Sequence, residues 1–483
     1  MNDLKNQRFP TGSYFILWNI FFDRFSSGGF IVILAIYLHQ KLDFDTNTAT
    51  ALYHVNEFCL YFFSIVGAII ADCYWGIYRT LTTMSILIAI SGTIVSIASM
   101  DLSFLNIRVM SFIGLICTMI GTGCVKTSQN AFGGNQFKMP EQSALLDYYF
   151  SIHYLFMKFG HVTGMVLVPI LREDLKCFGD DTCYPVAFGA PTMAISIAFL
   201  ILFLGRNKFV HVVPAGGNAL INVVKCIKYA MQKKLLNISP DAKHGHWLDF
   251  SEEKFGPELV QDTKILLNVL TMYLPLPIYW ALLNQQASRW VFQATRMNGD
   301  IGWYTIKPDQ MIVVGPLLIM IMIPLFNQII FPILAKFGIK STLQKMGCGM
   351  VCAALSFAMS AYVETKINED YISILWLFPQ YLIVAVSEVL LWVANVAFAY
   401  TQAPSNMKSV MTSSVYMSVA GGSLIVFAIS GLRLFDSLVN EFIFYSFLMV
   451  IDTVLFVFLA KRYRYHDVHN PTIHIDEEDP QKY

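Results

Sequence analysis

Residues 206–261 read RNKFVHVVPAGGNALINVVKCIKYAMQKKLLNISPDAKHGHWLDFSEEKFGPELVQ, the longest polar stretch of the chain. A basic segment (Lys225, Lys228, Lys233, Lys234) is followed by an acidic one (Asp249, Glu252, Glu253, Glu258). On both sides the sequence is apolar. A bilayer core is spanned by about 20 apolar residues in helix, and runs of that length occur at 14–38, 49–71, 80–100, 106–125, 148–171 and 184–205 before the stretch. After it they occur at 262–285, 311–335, 342–363, 372–399, 407–432 and 441–460. The reading is six spans, a linker and six spans.

Composition agrees. Hydrophobic residues make up 55% and charged residues 14% of 483 residues, against about 25% charged in a soluble domain. Net charge is zero, so no basic footprint points to nucleic acid. Met1–Ser13 is short and polar, which predicts no cleaved signal peptide. Of nine cysteines most, such as Cys59, Cys117 and Cys352, lie in apolar runs and read as packing thiols. Cys177 and Cys183 share a short acidic loop and form a candidate disulfide.

Orientation follows the Lys/Arg bias of short loops. With the N-terminus inside, that side collects Lys5, Arg8, Arg79, Lys138, Lys336, Lys340, Lys345, Lys408, Lys461, Arg462 and Arg464. The opposite side holds Lys41, Arg108, Arg172, Lys176, Arg289, Arg296, Lys307, Lys366 and Arg433, mixed with acids. Both termini are therefore expected in the cytoplasm and the cysteine loop outside. The sequon Asn237-Ile238-Ser239 then falls on the cytoplasmic side and is expected to be unused. The tail after Tyr463 is polar and acidic (Asp476, Glu477, Glu478, Asp479) and is expected to be disordered.

This layout resembles the plan of a major-facilitator transporter, an all-α membrane fold of two six-helix bundles around a midplane site. The expected units are an N-terminal bundle at 1–205, a linker at 206–261, a C-terminal bundle at 262–463 and a tail at 464–483. No HExxH, GxSxG, GxxxxGK[ST] or GxGxxG occurs, so nothing points to an enzyme, and no TVGYG filter points to a channel. Secondary transport without a cofactor, driven by an ion gradient, is the remaining reading.

Ionisable residues at bilayer depth default to functional hypotheses. They are Asp23, Arg24, His54, Glu57, Lys126, His153, Lys158, His161 and Glu388. For His153 and His161 a hydrogen-bonded packing role competes. His54 changes charge near neutral pH and suits proton coupling. Asp23 and Arg24 are adjacent, so they point about 100° apart on one helix, and separate partners are expected. By sign these are Lys126, placed at the end of its run, and Glu388.

Several segments are specific. Gly67-Ala68-Ile69-Ile70-Ala71-Asp72 continues through Trp75-Gly76 to Tyr78-Arg79-Thr80. Gly121-Thr122-Gly123-Cys124-Val125-Lys126 is followed by Ala131-Phe132-Gly133-Gly134-Asn135-Gln136-Phe137. Further on come Trp280-Ala281-Leu282-Leu283-Asn284-Gln285-Gln286, Ser288-Arg289-Trp290, Pro308-Asp309-Gln310-Met311 and Gln402-Ala403-Pro404-Ser405-Asn406-Met407-Lys408-Ser409. In this order they resemble the proton-dependent oligopeptide transporters, the last nearly letter for letter in animal members. Those members often carry a large domain between the ninth and tenth spans, where this chain has only about Glu364–Asp370.

The resemblance implies a proton symporter of di- or tripeptides, acting as a monomeric unit in the plasma membrane. It implies an Arg24–Glu388 charge pair, Lys126 near the substrate carboxylate with Asp23 as its partner, and His54 in proton coupling with Asp23 and Glu388. Tyr37, Tyr61, Tyr154 and Trp280 match cavity aromatics. The departures are equally specific. In the pattern ExxERFxYYG the first Glu is Ile20, the second is Asp23, and the tyrosines are Ser27 and Gly28. A substrate-binding asparagine is Lys158, and an acid near Trp280 is Asn284. An arginine–aspartate pair has become Asn268 and Asn327, which predicts an outer gate closed by amides. Glu57 and Lys158 are charges outside the family pattern, which suggests that they compensate each other. A changed small solute (the family also handles nitrate and histidine) and a receptor-like protein that binds peptide without moving it are the alternatives.

Overall fold

A computed structural model describes residues 9–100, 106–138, 142–211, 219–235, 246–402 and 408–465. Lys5, Arg8, the sequon at Asn237, residues 403–407 of the last motif and the acidic tail lie outside the described residues, as do the side chains of Asp72, Asn327 and Lys408.

The first half holds α1 Thr11–Gln40, α2 Thr46–Ile70, α3 Ile77–Ala98, α4 Ile107–Gly134, α5 Ser143–Glu173 and α6 Tyr184–Gly205. The linker carries α7 Ala219–Leu235. The seventh predicted span is broken into α8 Pro257–Thr271, α9 Leu276–Leu283 and α10 Arg289–Ala294. Then come α11 Val314–Leu325, α12 Phe331–Lys336, α13 Thr342–Glu369, α14 Phe378–Gln402, α15 Lys408–Gly431 and α16 Leu438–Arg462. Among the described residues eleven helices are long and apolar enough to cross a membrane, or twelve if the bent pair counts as one span. No strand longer than an isolated bridge occurs among the described residues.

Local chemistry accounts for the boundaries. Asp45, Asn106 and Ser341 cap α2, α4 and α13 by accepting from the backbone N–H of Thr48, Val109 and Gln344. Pro275 and Pro277 cannot donate to a helical ladder, and the seventh span bends there by 52°. α2 ends in a π turn, Ala71–Trp75, and Gly76 at φ 78° turns the chain into α3. That conformation strains any residue with a Cβ, which explains the Trp75-Gly76 of the motif. Two expectations shift. α8 begins inside the predicted linker, and α4 runs past 125, because its Gly/Ala-rich exit remains helical.

α1 packs on α5 and α6, α3 on α4 and α6, and α2 on α4. In the second half α13 packs on α14 and α16, α9 on α15, and α11 on α14. The halves meet along α2 and α15. Small residues permit the closest approaches. A Cβ on Gly160 or Gly164 would meet the carbonyl oxygens of Phe21 and Phe25, and one on Gly67 would meet the Cys124 backbone.

The linker is not merely a tether. Cys226 and Ala230 of α7 bury against Leu248 and Val260, and Ser251 Oγ donates to the Cys226 carbonyl at 2.9 Å. Cys177 and Cys183 are disulfide-bonded. That loop marks one end of the molecule, the disulfide end, and the linker marks the other.

Substituting Gly164→Leu should destabilise the protein by about 1–3 kcal/mol through overpacking and lower its melting temperature in detergent. Gly431→Ala, with nothing within 4 Å of the added Cβ, should leave melting unchanged.

Candidate functional site

The break in the seventh span aims α9 at the seam between the halves. Trp280 and Asn284 reach the seam one turn apart, held by Ser418 Oγ (3.1 Å from Trp280 Nε1) and Ser423 Oγ (2.9 Å from Asn284 Nδ2) on α15. Opposite them are α1, α2, α4 and α5. Between lie two adjoining chambers of about 440 and 330 Å³. Arg24, Tyr61, Lys126, Lys158, Asn284, Gln286 and Glu388 line both, forming a charged belt at mid-height. Towards the linker end the larger chamber is walled by Tyr154, Trp280, Trp392 and Tyr416. Towards the disulfide end the smaller one adds Ser27, Tyr53, Glu57, Thr118 and His161.

Each charge in the belt has a defined neighbour. Arg24 Nε lies 3.7 Å from Asp23 Oδ2, and its Nη2 donates to Gln129 Oε1 at 3.0 Å. Lys126 Nζ sits 3.9 Å from the Tyr61 ring centroid and 5.8 Å from that of Tyr416, cation–π geometry at the shorter distance. It shares the smaller chamber with Glu57. Lys158 lies 5.5 Å from the Tyr154 ring and lines both chambers with Glu388.

Several expected pairings are therefore rearranged. Asp23 and Arg24 pair with each other, because the long arginine side chain folds back across the 100° that separates their Cβ vectors. Asp23 does not pair with Lys126. Arg24 and Glu388 line one cavity but form no ion pair within 4.0 Å, and neither do Glu57 and Lys158. Glu57 shares the smaller chamber with Lys126, and Glu388 lines both chambers with Lys158, again without an ion pair within 4.0 Å. Lys126 lies inside α4, not at its end.

Tyr61, Tyr154, Lys158, Trp280 and Asn284 line the cavity. Tyr37 does not. It is fully buried near the disulfide end, its OH 2.6 Å from Ser111 Oγ and its ring against Tyr184 and Phe188. His54 is fully buried off the cavity, its Nε2 3.0 Å from Ser288 Oγ across the seam. His153 is buried outside the chambers, whereas His161 lines one. Gly28 explains the latter: a Cβ there would come within 2.6 Å of the His161 carbonyl oxygen and 2.8 Å of its Nδ1.

At the disulfide end the halves are locked together. Arg172 Nε donates to Asp309 Oδ2 at 3.1 Å, Lys307 Nζ lies 2.8 Å from Asp174 Oδ1, and Arg433 Nη2 lies 2.8 Å from Asp45 Oδ1. Arg289, buried and paired with Glu441 at 2.9 Å, donates to Asn47 Oδ1 at 2.9 Å. Among the described residues every ion pair between the halves is at this end. Val291, Phe292, Ile312 and Val313 of the second half bury in the core of the first there. Asn268 lies on α8, which starts at the linker end, and Asn327 in the π turn that leads into α12. The described closure at the disulfide end is built from charges, and the Asn327 side chain lies outside the described residues.

Arg289 and Asp309 lie in recognisable motifs and Arg172, Lys307 and Arg433 contribute to the Lys/Arg bias, but the sequence alone assigns none of them a part in this closure. Spacing held no sign of their partners, which are distant in sequence. Gln129 and Tyr416 carried no signal.

The model of the POT family matches residues 78–435. The chain belongs to the POT family. "Peptide transporter family 1" of Drosophila melanogaster is 39% identical over 363 residues, covering 75% of this chain and 48% of that protein. "Solute carrier family 15 member 2" of Homo sapiens is 40% identical over 365 residues, covering 75% and 50%. The chain thus spans about half the length of the curated relatives it matches. The crystal structure of the POT family transporter PepTSo superposes with TM-score 0.80 at 23% identity, covering 95% of this chain and 99% of that one. A POT family transporter in complex with 5-aminolevulinic acid gives 0.73 at 19%, covering 94% and 97%. These structures establish the fold. Within it, Glu57 and Lys158 line the cavity, and Gly28 lies beside it against His161.

Asp309→Ala removes the buried partner of Arg172 across the seam and leaves it only Glu173 of its own half, a loss of up to about 3–5 kcal/mol for a buried pair. The disulfide end should open. A cysteine at Asn284 should then react faster with an impermeant maleimide applied from that side than in the parent.

Proposed function

We propose that this chain moves di- or tripeptides across the plasma membrane together with protons, by alternating access, as a monomeric unit with no cofactor. Both termini face the cytoplasm and the disulfide loop faces outside. The observation that carries the reading is the belt: three cations (Arg24, Lys126, Lys158) and two carboxylates (Glu57, Glu388) around one cavity at the seam of the halves.

Charges at that depth are tolerated only where they meet partners or water. A peptide supplies both kinds of partner. Its carboxylate suits Lys126 and Arg24, its ammonium suits Glu388, and the aromatic walls of Tyr154, Trp280 and Trp392 accept varied side chains with little directional demand. The named relatives support peptide as the solute. Closure at the disulfide end, beside a cavity whose Tyr154 wall is 42% exposed, supports a state open towards the cytoplasm. Breaking the cross-seam ion pairs while the belt holds solute would present the same site to the other side.

The test is uptake of labelled dipeptide into proteoliposomes with and without an inward proton gradient. Uptake driven by the gradient is expected, and none in either condition would overturn the reading. Lys126→Ala should reduce uptake by an order of magnitude or more, since it removes a charge-assisted partner typically worth about 1.5–3 kcal/mol. Surface expression measured in parallel separates this from misfolding.

A further inference from the structure

We propose that Glu57 is the proton-binding carboxylate of this protein, and that its protonation releases Lys126 to bind the carboxylate of the solute. The inference rests on the transport reading above and names the group that couples its two fluxes.

Three acids sit near the cavity, and their surroundings differ. Asp23 is held by Arg24 and lies outside the cavity lining. Glu388 lines both chambers with Lys158. Glu57 lines the smaller chamber, is only 6% exposed, and its Oε1 has no hydrogen-bond partner among the described residues. One helical turn along α2 is Tyr61, over whose ring Lys126 Nζ sits at 3.9 Å, so carboxylate and ammonium share one face of the cavity. The position of the first Glu in the helix 1 pattern is here Ile20, fully buried in an apolar cluster. α1 therefore offers no free acid to Lys126, and α2 does.

The groups facing Glu57 come from every neighbouring element. They are Tyr53 and Tyr61 on α2, Lys126 on α4, Arg24 on α1, Lys158 and His161 on α5 and Glu388 on α14, with Tyr416 on α15 beyond Tyr61. His54 belongs to a different cluster, on Ser288 and near Arg289. In this setting the linkage has one sign. Ionised Glu57 competes with the solute carboxylate for Lys126. When a proton binds Glu57, the ammonium loses that partner and takes the solute carboxylate in its place. The proton and a zwitterionic solute then enter together with one net positive charge, and proton loss on the far side restores Glu57–Lys126 and expels the solute. Linkage is reciprocal, so solute must raise proton affinity as much as the proton raises solute affinity.

The experiment uses the full chain in two arms. In the first, infrared difference spectra of the purified protein are recorded on acidification without peptide. The wild type should gain a protonated-carboxyl band that Glu57→Gln lacks, and an unchanged band in the variant would overturn the inference whatever the solute. In the second, binding of labelled dipeptide is measured from mildly acidic to alkaline pH. Wild-type affinity should weaken roughly tenfold as pH rises, within the usual 5–150-fold range of coupling, and in Glu57→Gln the ratio should fall to within about twofold. Glu57→Asp should restore a pH dependence, which misfolding would not. A wild type that binds no dipeptide overturns the transport reading and the coupling with it. A variant that binds with the full wild-type pH dependence overturns Glu57 alone.

Discussion

Ionised groups at the level of the hydrocarbon core must find opposite charge, π faces or water, and the rest of this structure is arranged around that demand. An orphan charge in low dielectric costs several kcal/mol, a large fraction of a protein's whole stability. Here the demand is met within helices and between them: Arg24 pairs with Asp23 on α1, Lys126 of α4 sits over the Tyr61 ring of α2, and Lys126 and Lys158 share the cavity with Glu57 and with Glu388 of the other half. The belt thereby ties the halves together without a direct ion pair across it, leaving groups that a solute can engage.

The two ends of the molecule use charge differently. At the disulfide end most cations are matched to nearby acids: Lys41 with Asp180, Lys176 with Asp181, Arg296 with Glu364, Lys366 with Glu369, and the cross-seam pairs of Arg172, Lys307 and Arg433, while Arg108 donates to the Leu42 carbonyl. Such pairs near water contribute little individually, so they can be broken in turn without unfolding either bundle. Arg172–Asp309 and Arg289–Glu441 are buried exceptions, and they anchor the closure. A tight bundle with an exchangeable seam follows from that split. Glycines let α1 and α5 touch backbone to backbone, while the seam relies on side chains.

The departures at Ser27, Gly28, Glu57 and Lys158 form one connected change. Losing the bulky residue at 28 lets the α5 backbone at His161 close against α1, and His161 then lines the same chamber as Glu57 and Lys158. Glu57 on α2 and Lys158 on α5 bring an acid and a base to that chamber, beside the uncharged Asn284.

Span number, the central linker and the family were legible in the sequence because they depend on local quantities: apolar length, charge density and short motifs. The Cys177–Cys183 pairing was legible as a candidate for the same reason, since six residues separate the two. Partnership was not legible. Asp23 and Arg24 were expected to part and instead pair; Tyr37 was expected in the cavity and packs on Tyr184; Asp309 stood in a quoted motif without its role. Each of these depends on which helix faces which, at what height, and how far a flexible side chain reaches, and contacts such as Arg433–Asp45 or His54–Ser288 join residues far apart in the chain. The sequence by itself determined that buried charges exist and that the chain crosses the membrane repeatedly. Only the tertiary structure decided who neutralises whom, because Coulomb energy depends on distance in space and a single sequence records only order along the chain.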